Sequence, residues 1–350
     1  MKLLIVMLSS FGDILQIFPA ITDIQKQHPQ AVAHWLVDEQ FNEIPNWHPF
    51  IQKTHTVPLR KTKKTLFSLK NIQEIIKKKH QLTLENYTHI IDFQSLLKSA
   101  LLIRHLKKNS YGFDKKSAIE PFASYFYSHK IYTNHPAKNL NLTQRAKQLA
   151  SKALKYSQNP KTIDYGLSTH KKTKTSQPTI LLHPGTTWPT KHWPDKNWLD
   201  FIKRCLNENY NIYLSWHGKN ELKKYKGYKK KYPKIHLLNK KKSPPIEASS
   251  LTDKLETLKT VDCVIAVDTG IAHLANALKT PCIILYGPSP YTYCAAIGEH
   301  TIHIKSSIKC TTKCNRKKCS INKETSTCME NINVEEVFKQ LKQTLKQHDN

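Results

Sequence analysis

The sequence predicts an α/β protein with two domains, each built on a parallel sheet with helices on both faces. Apolar runs typical of buried strands alternate with amphipathic segments at helical spacing, and this alternation occurs twice along the 350 residues. A polar stretch without apolar periodicity, at about 157–178, separates the two series. Strands that alternate with helices at this spacing form parallel sheets. The length and the 39% hydrophobic content suit two domains that each bury a core.

The first series predicts an N-terminal domain over residues 1–165. A strand is predicted at 2–8, followed by a helix to about His28 that Pro19 either kinks or delays. Further strands are predicted in AVAHWLVDE, THTVPL and THIIDFQ, and further helices at about 66–80 and in LLKSALLIRHL.

The second series predicts a C-terminal domain over residues 178–330. Strands are predicted in TILLH, NIYLSW, IHLLN, DCVIAV and PCIILYG, and helices at 195–206, in LTDKLETLKT and in IAHLANAL. Asn333 and Glu336 are spaced as in a capping box, so a last helix is predicted over 331–350, and we expect it to pack back on the domains.

The chain is strongly basic, with a formal net charge of +29. Such a charge favours anionic partners, namely nucleic acid, an anionic membrane surface or phosphorylated substrates. Lysine-rich residue usage without any partner is the alternative. No run of 18 apolar residues exists, and the apolar run at the N-terminus is too short for a signal peptide, so we predict a cytoplasmic protein.

Four of the eight cysteines cluster near the C-terminus, at Cys310, Cys314, Cys319 and Cys328. Their spacing lacks paired C-x2-C knuckles, so reduced structural thiols are favoured over a zinc site, which stays as the alternative. Apart from this alternative, no metal site is predicted.

Two strand-to-helix turns of the second domain have the composition of phosphate-binding loops. Asp268, Thr269 and Gly270 follow DCVIAV, with His273 in the first turn of the next helix, whose free N–H groups suit an anion. A simple capping role for Asp268 is about equally plausible from this turn alone.

The loop HPGTTWPTKHWP offers two hydroxyls and a cation, from Thr186, Thr187 and Lys191, which suit a diphosphate. Its glycine spacing matches neither a Walker A loop nor a dinucleotide fingerprint. Glu221 follows the next strand and is a candidate for ribose hydroxyls, or a solvated helix residue.

The turn SSFGDIL in the first domain carries a carboxylate, Asp13, at the start of a helix, where the helix dipole favours its ionised form. Such a carboxylate is able to accept a proton from a substrate hydroxyl, although capping is the commoner role. Phosphate-binding turns in one domain and a single carboxylate in the other indicate a transferase that uses a nucleotide sugar. The run LRKTKK, with Arg60, Lys61, Lys63 and Lys64, is either an anionic-acceptor site or a solvated face.

The chain resembles the lipopolysaccharide heptosyltransferases of glycosyltransferase family 9. The stretches LLIVMLSSFGDILQIFPAITDIQ and VDTGIAHLANALKTPCIILYGPS carry the family resemblance, and EQFNEIPNWHP and PLRKTKK point to its type I members. The resemblance implies a GT-B fold, in which two Rossmann-like domains face each other across a cleft, with a C-terminal helix. It also implies an inverting glycosyltransferase without a required cofactor.

The resemblance further implies the substrates and the site. The reaction would move L-glycero-D-manno-heptose from ADP-heptose to the first Kdo of Kdo2-lipid A, on the cytoplasmic face of the inner membrane. Asp13 matches the general base. The matching donor-side positions are Thr186, Thr187, Lys191, Glu221, Asp268, Thr269, Gly270 and His273. The matching acceptor-side positions are Ser9, Ser10, Gly12, Arg60, Lys61, Lys63 and Lys64.

Two alternatives remain at this point. A heptosyltransferase II, or another family-9 core glycosyltransferase, would share the donor residues and differ in its acceptor. A basic nucleic-acid-binding protein with a zinc module would need a recognised nucleic-acid-binding module, which the sequence lacks, so nucleic acid is not predicted as a partner.

Overall fold

The computed structural model describes residues 1–59, 69–106, 109–133, 140–169, 177–238, 250–308, 310, 318–321 and 326–349. The chain divides into two compact units. Unit 1 is Met1–Leu167 with Thr292–Cys294, and unit 2 is Ser168–Tyr291 with Ala295–Asn350.

Unit 1 alternates strands with helices, as predicted. In chain order its elements are β1 (Lys2–Val6), α1 (Phe11–Gln16), α2 (Phe18–Gln27), β2 (Val32–Asp38), β3 (Ile51–Val57), α3 (Leu69–Leu84), β4 (His89–Asp92), α4 (Leu97–Ile103), β5 (Ser110–Phe113), β6 (His129–Ile131) and α5 (Leu142–Leu154). Short 3₁₀ helices cover Glu39–Phe41, Pro45–Trp47, Arg104–Leu106 and Pro121–Phe126. The elements β5, β6 and α5 were not predicted from the sequence.

The predicted first helix is two helices, because Pro19 lies in the first turn of α2. Proline is tolerated there, since the N–H group that it lacks has no partner within the helix. The helical segment begins at Phe11 and is interrupted at Ile17, before Pro19, which is closer to the expected kink than to the expected late start.

The six strands described in unit 1 form one parallel sheet in the order β3-β2-β1-β4-β5-β6. Residues Leu3–Val6 of β1 are fully buried, as expected for a parallel strand covered on both faces. The strand order reverses between β1 and β4. Ligands of such sheets bind at the carboxyl ends of the strands beside this reversal.

Unit 2 repeats the architecture. Its elements, together with one helical turn at the unit boundary, are β7 (Thr179–His183), α6 (Asp195–Asn207), β8 (Asn211–Leu214), α7 (Gly218–Lys231), β9 (His236–Leu237), α8 (Leu251–Leu258), β10 (Cys263–Val267), α9 (Gly270–Ala277), β11 (Cys282–Tyr286), α10 (Tyr291–Cys294), β12 (Thr301–Lys305), α11 (Thr327–Glu330) and α12 (Val334–Asp349). A 3₁₀ turn covers Pro189–Lys191. The described strands form a six-stranded parallel sheet in the order β12-β11-β10-β7-β8-β9, which reverses between β7 and β10.

The C-terminal helix α12 packs on unit 2. Asn333 caps it by accepting a hydrogen bond from the N–H of Glu335 at 2.8 Å. Phe338 meets Phe201 of α6 edge to face with ring centroids 6.2 Å apart, and the indole of Trp193 donates to the carbonyl of Ile332 at 3.1 Å. Of the helices in the described ranges, none is long and apolar enough to cross a membrane.

Candidate active site

The turn after β1 places Asp13 as predicted, at the start of a helix. Oδ2 of Asp13 accepts hydrogen bonds from the backbone N–H of Ser10 at 3.0 Å and from its hydroxyl at 2.7 Å. Asp13 is half-buried, Ser9 is half-buried, Ser10 is exposed and Gly12 is buried. Oδ1 of Asp13 makes no hydrogen bond to the described residues. The carboxylate therefore caps α1 with one oxygen and keeps the other available.

A glutamine after β4 fixes this turn. Oε1 of Gln94 accepts the N–H groups of Leu8 at 2.8 Å and Ser9 at 2.9 Å. The strands β1 and β4 are neighbours at the strand-order reversal. The side-chain amide of Gln94, after β4, therefore holds the turn that follows β1. The sequence analysis missed Gln94, although a polar residue directly after a buried strand in IIDFQS was a usable signal.

Gln94 is in turn held by a buried carboxyl. Oδ1 of Asp92 accepts the N–H of Gln94 at 2.8 Å, and Oδ2 accepts the hydroxyl of Tyr127 at 2.8 Å. Asp92 is fully buried, and this burial raises its pKa to about 6, against the opposing effect of its hydrogen bonds. A hydrogen-bonded chain thus runs from the core of unit 1 to the turn that carries Asp13.

Tyr293 also lies within the electrostatic reach of Asp13. Burial raises the pKa of the Tyr293 hydroxyl to about 12, and the negative charge of Asp13 adds to this effect. The guanidinium of the buried Arg145 lies 5.8 Å from the Tyr293 ring centroid and is hydrogen-bonded to the side chain. Neither residue was predicted, because Tyr293 is 280 positions from Asp13 in the sequence.

The predicted basic acceptor residues Arg60, Lys61, Lys63 and Lys64 lie outside the described residues. The described chain reaches Leu59, just beyond the end of β3.

In unit 2, the loop after β7 carries the predicted hydroxyls. Thr186 is half-buried, and its Oγ1 accepts the N–H of Trp188 at 3.2 Å, which folds the loop back on itself. Thr187 is exposed, and its hydroxyl makes no hydrogen bond within the described ranges. The 3₁₀ turn Pro189–Lys191 then directs Lys191 back toward the sheet.

Lys191 meets Asp268, which follows β10. Nζ of Lys191 lies 2.6 Å from Oδ2 of Asp268 and 3.3 Å from its backbone carbonyl oxygen. The ammonium also lies 4.5 Å from the centroid of the Trp188 ring, a cation–π distance. The two predicted donor residues are therefore a buried ion pair, which their separate sequence motifs did not reveal.

Asp268 has two further partners. The hydroxyl of Ser289 donates to its Oδ2 at 2.6 Å, and Nε2 of His273 lies 3.5 Å from its Oδ1. Burial alone would raise the pKa of Asp268. The hydrogen bond from His273 and the charge of Lys191 outweigh burial and hold the pKa below its ordinary value. Ser289 was missed by the sequence analysis.

Two buried polar atoms at the start of α9 are aimed at no protein partner. Oγ1 of Thr269, the residue before the helix, and Nδ1 of His273 have no hydrogen-bond partner in the part of the chain that the structure describes. Gly270 is the first residue of α9, so the free N–H groups of the first turn accompany these atoms. Free donors beside a strand-order reversal are the arrangement in which α/β sheets bind phosphate.

Glu221 lies in the first turn of α7, and Oε2 accepts the N–H of His217 at 2.8 Å. Its carboxylate also lies against Gly185 of the loop after β7. A Cβ on Gly185 would approach both carboxylate oxygens to 2.5 Å, so a larger residue there would displace the Glu221 carboxylate. Glu221 thus lies at the start of α7 and packs against the loop that carries Thr186.

The cysteine cluster is partly described. Cys310 is exposed, Cys319 and Cys328 are buried, and Cys314 lies outside the described residues. Burial raises the pKa of the Cys328 thiol, which favours its protonated form. The zinc alternative for this cluster stays a prediction.

Comparison with known proteins shows the family to which the chain belongs. The family model for glycosyltransferase family 9 (heptosyltransferase) matches residues 75–324. The chain is 31% identical to lipopolysaccharide heptosyltransferase 1 of Pseudomonas aeruginosa over 360 residues, which covers 99% of this chain and 98% of the relative.

Solved structures agree as well. The E. coli heptosyltransferase WaaC with ADP aligns at a TM-score of 0.81 and 27% identity, over 98% of this chain and 100% of WaaC. WaaC with ADP-2-deoxy-2-fluoro heptose aligns at a TM-score of 0.80 and 27% identity, over 98% and 99% of the two chains. These similarities confirm the predicted fold class and the predicted glycosyltransferase activity. The chain belongs to glycosyltransferase family 9, the heptosyltransferase family.

Proposed function

We propose that this chain transfers L-glycero-D-manno-heptose from ADP-heptose to the first Kdo of Kdo2-lipid A in lipopolysaccharide core biosynthesis. The observation that carries the proposal is the buried Lys191–Asp268 pair, which lies beside the start of α9 at the strand-order reversal of unit 2. A heptosyltransferase 1 relative that spans nearly the whole chain supports the same activity.

The donor site is proposed in unit 2. WaaC has been solved with ADP and with ADP-2-deoxy-2-fluoro heptose, and ADP-heptose is the corresponding donor for this chain. In this proposal Lys191, Thr186 and Thr187 contact the diphosphate together with the N–H groups of α9 at Gly270. The unpartnered hydroxyl of Thr269 adds a donor.

Two carboxylates, Asp268 and Glu221, are proposed to bind the sugar and the nucleoside of the donor. Asp268 accepts from heptose hydroxyls while Lys191 and His273 keep it ionised. Glu221, against Gly185, accepts from the ribose hydroxyls. Each carboxylate is held in place by a protein donor, so it is oriented before the substrate arrives.

Asp13 is proposed as the general base. It takes the proton of the acceptor hydroxyl as that oxygen forms a bond to C1 of heptose. The bond from C1 to the diphosphate breaks at the same time and ADP leaves, which inverts the configuration at C1. The charge that develops on the diphosphate is stabilised by Lys191 and by the N–H groups of α9.

Acceptor binding is assigned to unit 1. Ser9, Ser10 and Gly12 line the turn of Asp13, and the side chains of Arg60, Lys61, Lys63 and Lys64 supply positive charge for the phosphates of lipid A. Arg and Lys are the side chains that pair best with phosphate oxygens.

We also propose that the protein binds peripherally to the cytoplasmic face of the inner membrane. The net charge of +29 favours an anionic lipid surface. Unit 1 also exposes apolar side chains on one short stretch, with Phe122 72% and Tyr125 59% exposed, and Lys130 lies over the Tyr125 ring at 5.7 Å.

The test is to incubate the protein with ADP-heptose and Kdo2-lipid A, and to measure ADP release and the product mass. The proposal expects addition of one heptose to Kdo2-lipid A. If Kdo2-lipid A is left unmodified and a heptosylated acceptor is used instead, the chain is a heptosyltransferase of a later step. A parallel thermal-shift measurement should show stabilisation by ADP and none by an oligonucleotide.

A further inference from the structure

Unit 1 contains a second cluster of chemically active side chains, which the reaction does not use. We call it the His–Glu cluster: His34 on β2, His55 on β3, and Glu85 and Tyr87 between α3 and β4. Glu85 precedes β4 and contacts Lys2 at the start of β1, and His34 is near the start of β2. His55 is the fifth of the seven residues of β3. Asp13, by contrast, follows the carboxyl end of β1. The cluster is therefore separate from the proposed active site.

The cluster brings three ligand atoms together. Nδ1 of His34 and Nε2 of His55 are 3.4 Å apart. Nδ1 of His34 lies 3.8 Å from Oε2 of Glu85, and Nε2 of His55 lies 3.9 Å from Oε1. Both histidines are buried, with about 6% of each residue exposed. Within the described residues, this is the one group of histidine, cysteine and acidic side chains whose spacing fits a metal ion.

We propose that His34 Nδ1, His55 Nε2 and the Glu85 carboxylate form a binding site for a divalent transition-metal ion of the zinc type. Two ligands at 2.0–2.1 Å from a tetrahedral zinc ion are about 3.3 Å apart. The two imidazole nitrogens already have this separation, and the carboxylate oxygens are within about 0.6 Å of it. Two histidines and a carboxylate are a common ligand set for zinc and iron.

The hydroxyl of Tyr87 competes with a metal ion for the two imidazole nitrogens. Its hydroxyl lies 2.9 Å from Nδ1 of His34 and 2.9 Å from Nε2 of His55. One neutral imidazole must donate to the phenol oxygen while the phenol donates to the other. A metal ion that binds both nitrogens replaces these two hydrogen bonds with coordinate bonds, and the imidazole that donated then carries its proton on its other ring nitrogen.

The two lysines orient the carboxylate and oppose the metal charge. Nζ of Lys2 lies 2.6 Å from Oε2 of Glu85, and Nζ of Lys53 lies 2.5 Å from Oε1. Each holds one oxygen near one histidine. Lys53 is 53% exposed, so its removal frees a carboxylate oxygen at little cost to the core. The site ties β2, β3 and the chain before β4 together, which assigns it a stabilising role.

The experiment uses the full chain with Cys310→Ser and Cys314→Ser, which removes two of the four thiols of the cysteine cluster. After metal removal, Zn²⁺ is titrated by calorimetry into this background, into His55→Gln, into Glu85→Gln and into the control His89→Gln on β4. We expect one Zn²⁺ site. Its affinity should be at least about tenfold weaker in His55→Gln and in Glu85→Gln, because each of these two variants removes a ligand, and it should be unchanged in the control His89→Gln.

Two further measurements have distinct expected outcomes. Co²⁺ should give the visible spectrum of nitrogen and oxygen ligands without a sulfur charge-transfer band. Lys53→Gln should bind Zn²⁺ more tightly, because a competing cation is gone. Absence of Zn²⁺ binding in the background protein overturns the proposal. So does equal affinity in His55→Gln, Glu85→Gln and His89→Gln, or weaker binding in Lys53→Gln.

Discussion

Nζ of Lys191 and Oδ2 of Asp268 are 2.6 Å apart, although 77 positions separate them in the sequence. Lys191 follows β7 and Asp268 follows β10, and these two strands are neighbours where the strand order reverses. The ion pair thus lies at the edge where sheets of this kind bind their ligands. It links the two predicted phosphate-binding turns of unit 2 into one site.

Lys191→Ala should reduce the transfer rate by about 10²–10³-fold, because charge on the departing diphosphate loses its cation. It should also lower the free energy of unfolding by about 3 kcal/mol, because the buried Asp268 is left without the ammonium that pairs with it. Urea unfolding and steady-state kinetics measure the two effects. The double variant Lys191→Ala with Asp268→Asn should recover stability but not rate. Lys196→Ala, at an exposed position of α6, is the control and should change neither.

The lowered pKa of Asp268 predicts that the free energy of unfolding decreases in acid. Its pKa is held below the ordinary value in the folded chain, so its contribution is fully present above about pH 4 and is lost as the pH falls further. Asp268→Asn should therefore be less stable than the wild type at neutral pH, and the difference should shrink in acid. Urea unfolding of both proteins across this range measures it. A difference that grows on acidification would contradict the assigned role.

Gln94→Leu should loosen the turn that carries Asp13. The N–H groups of Leu8 and Ser9 both donate to Gln94, and leaving them without an acceptor costs about 1–3 kcal/mol. Faster hydrogen exchange of the segment around Leu8 and a lower transfer rate are expected. Gln27→Leu, at an exposed position at the end of α2, should show neither change. Unchanged exchange in Gln94→Leu would mean that another group holds the turn.

Asp92 predicts the opposite pH dependence from Asp268. Its folded pKa of about 6 lies above the unfolded value, so its contribution to stability is fully present below about pH 4. That contribution is lost as the pH rises to about 6, by about 3 kcal/mol in total, since one pKa unit is worth about 1.4 kcal/mol. The stability of the wild type minus that of Asp92→Asn should fall over this range in urea unfolding. A constant difference would be inconsistent with a buried, titrating carboxyl.

The sequence was sufficient for the fold class because the apolar runs of the central strands are long and their alternation with helices is regular, whereas the shorter β5 and β6 were missed. It also located Asp13 and Asp268, since Asp268 directly follows a buried strand and Asp13 begins the helix after one. The reason is geometric: the carboxyl ends of parallel strands share one edge, so polar residues there are brought together.

The partners of these residues could not be predicted. Gln94 reaches the turn of Asp13, and Ser289 reaches Asp268, through contacts that depend on which strands are neighbours. No local sequence pattern specifies the strand order β3-β2-β1-β4. The His–Glu cluster was missed for the same reason, because His34, His55 and Glu85 are 21 to 51 positions apart in segments that look like ordinary strands and turns.

The most direct test of the account is Asp13→Asn, measured for both ADP affinity and single-turnover transfer from ADP-heptose to Kdo2-lipid A. Asparagine still accepts the hydrogen bonds of Ser10, so folding should be preserved. We predict ADP affinity within about twofold of the wild type and a transfer rate lower by about 10²–10⁴-fold. Asp114→Asn, which alters another half-buried aspartate that accepts a turn N–H, should transfer normally. A wild-type rate in Asp13→Asn would contradict the proposed mechanism.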